Sequence, residues 1–445
     1  MTTMSTPDSH FTRLSPWLQS RNHPQRDLLE KELQQRFFPA LSAPCRICHF
    51  MLTLGTGSRA AEFTLMQQRA LQAGVQLQEG DSDVNLQLGD ITLRWERHSE
   101  FSTYSFIVPG ESTDFADPQQ FLPAPDWFDL VPGQLFRVVQ LLICKQQPEQ
   151  PDITTHSAQA LAAMFASEHC ISSLVANQQA QIWTDFRKHP EGGGRMVLLD
   201  KGLSDSALAR LVQQLFDLGN YRKLSLLGWP LTRQALSQLH SLEQQLSDIT
   251  QRIEQQQGSD EKMLQEISQM AAQTEHLIAN NSARLEASVA YYQLTLDRLK
   301  ALKETALDGL MSLQDFSERR LTPAFRTAQS VLNRQRSLSN RLGRSTELLR
   351  TRISLQLERQ NSKLLISMEK RARQQLQLQT AVERLSTVAI CYYAVQLLDK
   401  GLSSLSLLWP ALPLQLLQAL SLPLVVLLIS VLWYQLRKPG RDHHN

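Results

Sequence analysis

The chain has 445 residues and a formal net charge of only +2, which leaves room for two or three domains. Its five cysteines are odd in number and scattered, so a disulfide framework is excluded as the main source of stability. The polar start, Met1 to Ser20, has no apolar run of the kind a secretory signal needs. Near-neutrality hides an asymmetry: residues 1–333 hold 29 Lys/Arg against 37 Asp/Glu, and residues 334–445 hold 16 against 6.

In chain order, residues 1–22 read as a loose leader. A short helix is expected from Arg26 to Phe37, with Leu28, Leu29 and Leu33 at helical spacing. Phe38 to Pro44 follows as an extended linker, because each proline disfavours helix at the residue before it. Cys45 to Leu54 reads as a buried strand, and Gly55-Thr56-Gly57-Ser58 turns it into a helix over Arg59 to Ala73. Alternating β-branched and aromatic residues then predict strands at Val84 to Leu88, Ile91 to Arg97, Phe101 to Val108 and Leu135 to Cys144. Residues 146–157 form a polar, proline-containing seam. A helix from Ala158 to Ala166 and strands at Cys170 to Val175, Ala180 to Arg187 and Met196 to Leu199 complete this α/β domain of residues 23–230. Ser204 caps the helix that carries Leu208, Leu211, Val212 and Leu215.

Residues 231–383 read as long helices, from Thr232 to Gln257, from Glu261 to Leu307, and onward from Leu310 with a kink at Pro323. Leu342, Leu349, Ile353, Leu357, Leu364 and Met368 recur at steps of seven, four, four, seven and four, close to a coiled-coil seam. Such a stem requires lateral packing, within the chain or between copies. Two apolar stretches follow, Leu385 to Leu398 and Ala411 to Tyr434, separated by Trp409-Pro410-Ala411-Leu412-Pro413. They read as a transmembrane helical hairpin over residues 384–436, the second about 36 Å long as helix. The fold class expected is therefore a mixed-sheet α/β N-terminal domain, then long helices, then that hairpin, with a basic tail at 437–445. Lys370, Arg371, Arg373 and Arg384 precede the first stretch, and Arg437 and Lys438 follow the second. That bias places both termini in the cytoplasm of a bacterial inner membrane, with the basic residues facing anionic lipid headgroups. Nucleic acid is not expected as a partner.

The strings Phe38 to Pro44, Arg94 to Tyr104, Trp183 to Arg187 and Tyr392-Tyr393 resemble a bacterial family of uncharacterised membrane-anchored proteins, over about residues 22–436. The layout is also similar to CorA-type magnesium channels, which implies a divalent cation as a candidate ligand. The Gly-Met-Asn of that pore is replaced by Asp399-Lys400-Gly401 and the selectivity it carries is absent from the sequence.

Several residues could carry chemistry. Cys45-Arg46-Ile47-Cys48-His49 matches a haem-attachment pattern but also alternates as a core strand. Gly55 to Ser58 sits where phosphates bind helix N-termini, yet lacks the P-loop lysine and serves equally as a turn. Arg94, Glu96 and His98 share one strand face, and Glu100, Asp185 and Arg187 could join them as an acid/base or metal cluster or as an ion-pair network. Glu191-Gly192-Gly193-Gly194-Arg195 reads as a hairpin turn. Tyr392, Tyr393, Gln396, Asp399 and Lys400 are the polar candidates of the first apolar stretch. No nucleophile–base spacing or cofactor motif stands out. The function expected is a non-enzymatic membrane anchor that displays a cytosolic interaction or sensing domain and self-associates through its stem. A CorA-like channel is the alternative, and a membrane-tethered enzyme the third reading.

Overall fold

The computed structural model describes residues 21–26, 29–30, 38–55, 57–110, 114–146, 164–165, 170–406 and 414–436. The helices expected at Arg26 to Phe37 and at Ala158 to Ala166, most of the leader, the Trp409 to Pro413 break, and Arg437 and Lys438 fall wholly or largely outside them. The chain forms two compact units. One comprises residues 1–256 and 266–344, the other residues 257–265 and 345–445.

The first unit is built on a nine-stranded sheet. Its strands are β1 (Cys45–Thr53), β2 (Asp83–Leu88), β3 (Ile91–Arg97), β4 (Phe101–Pro109), β5 (Gln134–Lys145), β6 (Ile171–Val175), β7 (Ala180–Thr184), β8 (Gly194–Asp200) and β9 (Thr305–Ala306). Their order across the sheet is β2-β3-β4-β1-β5-β8-β7-β6-β9. Neighbours run antiparallel except β5 and β8, whose parallel pairing joins Val139 to Gly194 and Lys145 to Asp200. The helices are α1 (Arg59–Gln72), α2 (Asp205–Ser225), α3 (Trp229–Glu254), α4 (Asp260–Ala301), α5 (Leu313–Ser406) and α6 (Leu414–Leu436).

The period-2 pattern sorts β1 residues onto opposite faces. Cys45 and Ile47 pack with Leu208, Leu211, Leu215 and Phe216 of α2. Cys48, Phe50 and Leu52 pack on the other side with Met66 and Ala70 of α1. β1 is apolar on both faces because helices cover both. Ser204 accepts a hydrogen bond from the Ala207 N–H and caps α2 as expected. Ser58 makes no such bond at the start of α1.

The expected helix to Leu307 stops at Ala301. Glu304 and the short β9 intervene, and β9 pairs with β6 through Ala306 and Ser173. Glu304 accepts from the Leu313 N–H at 2.7 Å and the Gln314 N–H at 3.0 Å, and its negative charge suits a helix N-terminus. Within this unit, α5 lies antiparallel to α4. Arg336 reaches Glu286, and Ser339 reaches Glu275. Arg334 pairs with Glu243 of α3. Buried Leu239, Leu242, Leu246 and Ile249 of α3, Met270, Leu277 and Leu285 of α4, and Leu332, Leu338 and Leu342 of α5 form the seam of this three-helix layer. With buried Thr274 and Asn281 of α4 and Ala328, Val331 and Gln335 of α5 included, the steps along each helix are three and four, those of coiled-coil packing.

The second unit corrects the sequence reading. Among the described residues, no helix is long and apolar enough to cross a membrane. Leu385 to Leu398 is a 14-residue stretch inside α5, bounded by Arg384 and Asp399. As helix it spans only about 21 Å, short of a bilayer core of about 30 Å. The helix runs through Asp399-Lys400 and Gly401 to Ser406, the continuation the sequence allows for the first stretch. In α6, which contains Pro423, the uncharged run free of glutamine is Ala419 to Tyr434, about 24 Å. The transmembrane hairpin and the multi-pass inner-membrane location are therefore set aside. The membrane-anchored display function, the CorA-like channel and the membrane-tethered enzyme all required that hairpin and fall with it.

Candidate functional site

The polar positions of the sheet do not meet as a cluster. Arg94 is buried and pairs with Asp83 on the neighbouring strand β2. Glu96 lies 3.7 Å from His98, and His98 stacks on Phe101. Glu100 turns away to Arg284 of α4, at 2.8 and 3.1 Å, and accepts from the Tyr291 hydroxyl. Asp185 pairs with His189 at 3.0 Å and accepts from the backbone N–H of Arg187. Arg94 is paired through the strand register, Glu100 by a packed helix, and Glu96 and Asp185 by histidines close in sequence.

The Arg94 to Tyr104 string has a different centre, the carboxylate of Glu62 on α1. Glu62 is fully buried. It accepts from Trp95 Nε1–H at 3.1 Å, from the Ser102 hydroxyl at 2.9 Å and from the Tyr104 hydroxyl at 2.5 Å. Burial, then the adjacent carboxylate, raises the Tyr104 phenol far above its usual range, so it stays a donor. One helix is thereby latched to two strands.

The Cys45-x-x-Cys48-His49 trio is split across the sheet. Cys45 and Cys48 face opposite cores. His49 bonds Ser105 at 2.7 Å and Asn220 at 3.2 Å and stacks on Phe216. Burial, and then Arg137, hold the imidazole well below its usual pKa. Burial raises the Cys45 thiol to about 12. A single haem or metal could not reach all three side chains. Among the described residues, no group of three or more His, Cys, Asp or Glu side chains is placed to hold a metal ion.

A feature absent from the sequence reading lies where β5 and β8 run parallel beside the end of α2. It is a cleft of about 170 Å³ lined by Arg137, Arg187, Lys188, Arg195, Arg222 and Lys223, with Gly192, Gly193 and Gly194 as one wall and no carboxylate in the lining. Arg137 is buried and bonds Asn220 Oδ1 at 2.8 Å and the Phe216 carbonyl at 3.4 Å. Gly219 gives it room, since a Cβ there would stand 2.2 Å from Arg137 Nη2. Arg222 is 9% exposed and its guanidinium lies 3.4 Å over the Phe186 ring. One of its buried nitrogens, Nη1, has no hydrogen-bond partner. Burial, and then Arg137, bring Arg222 down to about 9. Lys223 stands exposed at the mouth.

The candidates on α5 are all helical and mostly solvent-facing. Gln396 donates to the Tyr392 hydroxyl at 2.8 Å, and Tyr393 packs edge-on to Tyr392. Asp399 and Lys400 are exposed, their carbonyls accepting from Ser403 and Ser404. Lys370, Arg371, Arg373 and Arg384 are exposed on the same helix, and Arg373 pairs with Glu369.

A family model described as "Protein of unknown function (DUF3422)" matches residues 21–439, so the chain belongs to that family. Searches of curated proteins and of solved structures find no match. The similarity of layout to CorA-type channels finds no support in these comparisons.

Proposed function

We propose that this protein is a non-enzymatic assembly protein whose copies join through the distal half of α5. The observation that carries the reading is the exposure of that helix beyond Leu349. Leu357, Leu364 and Met368, the sequence seam, are 54%, 60% and 63% exposed. Leu365, Leu376, Leu378, Val382 and Leu385 are likewise exposed. An apolar surface of that extent along one helix implies an interface, because a helix gains most of its stability from packing an amphipathic face.

The same helix shows upstream what kind of partner it takes. Ala328, Val331, Gln335, Leu338 and Leu342 are buried at steps of three and four, with Leu349 seven residues on, and such spacing is that of helix-on-helix packing. A second α5 carries the matching seam. Burying Leu357, Leu364 and Met368 from two copies yields about 9–18 kcal/mol at roughly 1.5–3 per side chain. Association costs about 4–15 kcal/mol, so the seam must extend further to hold firmly. Arg94, Glu96, Glu100 and Asp185, each taken up by a local pair, support a role without catalysis.

Analytical ultracentrifugation of the full chain tests this. Oligomers at micromolar concentration are expected, dissociating to monomers in Leu357→Asp/Leu364→Asp. A wild-type monomer at tens of micromolar would refute the assembly role.

A further inference from the structure

The cleft beside β5, β8 and α2 poses a separate question. Burying a cation without a partner is costly, and proteins retain such a group only when something compensates it. Arg222 has only the Phe186 face against its guanidinium, no acid, and a buried Nη1 without a hydrogen-bond partner. The nearest acids are already committed: Asp217 to Arg298 at 3.0 Å, Glu191 to Arg195 at 2.5 Å, and Asp185 to His189. The compensating charge is therefore not supplied by the lining, which holds six basic side chains and no acid.

We propose that this cleft binds a phosphoryl group, as inorganic phosphate or as the head of a small phosphate monoester, held by Arg222 and Arg137 with Lys223 closing the mouth. Three features select that chemistry. Guanidinium forks match the oxygens of phosphate and carboxylate and donate in pairs. Three converging cations suit a dianion better than a monoanionic carboxylate. The volume, about 170 Å³, is several times the roughly 30 Å³ that a water occupies, enough for one phosphoryl group but not for an entire nucleotide. The Gly192 to Gly194 wall keeps side chains away from the space. Gly193 lies against Val138, where a Cβ would come within 3.3 Å of Cγ1. Arg137 and Arg222 are oriented in advance, the first by Asn220 and Phe216, the second by the face of Phe186. Such preorganisation lowers the cost of binding.

The test is isothermal titration of the full-length protein with inorganic phosphate and with glycerol 3-phosphate, using chloride at equal ionic strength as the control. Saturable binding is expected for the wild type, at least tenfold weaker in Lys223→Met and lost in Arg222→Met. Melting without ligand gives an independent readout. Arg222→Met removes a buried charge that has no acid beside it and keeps most of the side-chain volume, with the thioether still able to lie on Phe186, so it should melt no lower than the wild type. If Arg222→Met fails to fold, Lys223→Met, at an exposed position, still decides. A vesicle arm separates the sources of the phosphoryl group. Pelleting with phosphatidate vesicles, reversed by glycerol 3-phosphate, assigns it to a lipid head, and no pelleting alongside binding of the soluble ester assigns it to a free metabolite. No saturable heat at 10-millimolar-scale phosphate, or binding unchanged in both variants, overturns the proposal. An assembly state that fails its own test leaves this one standing, because the cleft lies wholly within residues 135–223.

Discussion

Replacing Glu62 should produce a graded loss of stability that separates charge from hydrogen bonding. The carboxylate is fully buried and takes three donors, from Trp95, Ser102 and Tyr104. In Glu62→Gln the amide oxygen can keep Trp95 and Tyr104, and the Ser102 hydroxyl can turn to accept from the new NH₂. Only the ionic component is lost, the difference between about 1.5–3 kcal/mol for a bond to a charged group and about 0.5–1.5 kcal/mol for a neutral one. In Glu62→Leu all three donors lose their acceptor inside a dry core. At about 1–3 kcal/mol for each stranded group, the cost is about 3–9 kcal/mol, a large part of an ordinary domain stability of about 5–15 kcal/mol. Tyr104→Phe removes one donor and should fall near the glutamine variant. Urea denaturation followed by tryptophan fluorescence is a direct assay, because Trp95 and Trp127 sit in the same core as Tyr104. A leucine variant within 1 kcal/mol of wild type would show that the latch contributes nothing and would refute the reasoning.

Two further outcomes concern the cleft. In Gly219→Ala the new methyl group collides with Arg137 Nη2. The guanidinium must leave its seat, at a cost of about 1–3 kcal/mol, and phosphate binding should weaken at least tenfold by the same titration. The Lys223 ammonium is lowered from 10.5 to about 8, first by desolvation and then by Arg137, Arg222 and Lys188. Its charged form is disfavoured in the folded chain, so between pH 8 and 10.5 the unfolded chain binds the extra proton and stability rises with pH. Phosphate affinity should move the other way, falling from pH 7 to 9.5 in the wild type as the ammonium discharges, with that part of the fall missing in Lys223→Met. A flat profile in the wild type would remove Lys223 from the site.

Strands were legible where one residue type dominates each face. The runs at Ile91 to Arg97 and Cys45 to Leu54 emerged almost to the residue, because alternation and β-branching are local properties. Which strand lies beside which is not local. Arg94, Glu96 and His98 do share the period of one strand, but Asp83 reaches Arg94 only through the β2–β3 register, and Glu100 is drawn off by α4. The cleft is not legible for the same reason, its cations coming from β5, α2, β8 and the segment between β7 and β8. Arg137 did leave a trace, a single charge inside the apolar run Leu135-Phe136-Arg137-Val138-Val139. Arg222 left another, a cation at a core-facing helical position between Tyr221 and Leu224. The apolar stretches fail as membrane spans because composition is not uninterrupted length: Leu385 to Leu398 lies between Arg384 and Asp399 inside α5, and among the described residues no helix is long and apolar enough to cross.

The last strand of the sheet arrives late in synthesis. Val175 ends β6, yet the residues that cover its outer edge, Thr305 and Ala306, emerge about 130 positions afterwards. At 5–20 residues per second on the ribosome, that edge stands open for on the order of 10 s. Open edges invite other chains to pair with them. The sequence of β6, Ile171-Ser172-Ser173-Leu174-Val175, places two serines in the middle of that edge. One of them, Ser173, is the residue that Glu304 engages when the covering segment arrives, so the polar residue that makes the nascent edge less sticky is also the one that fastens it shut.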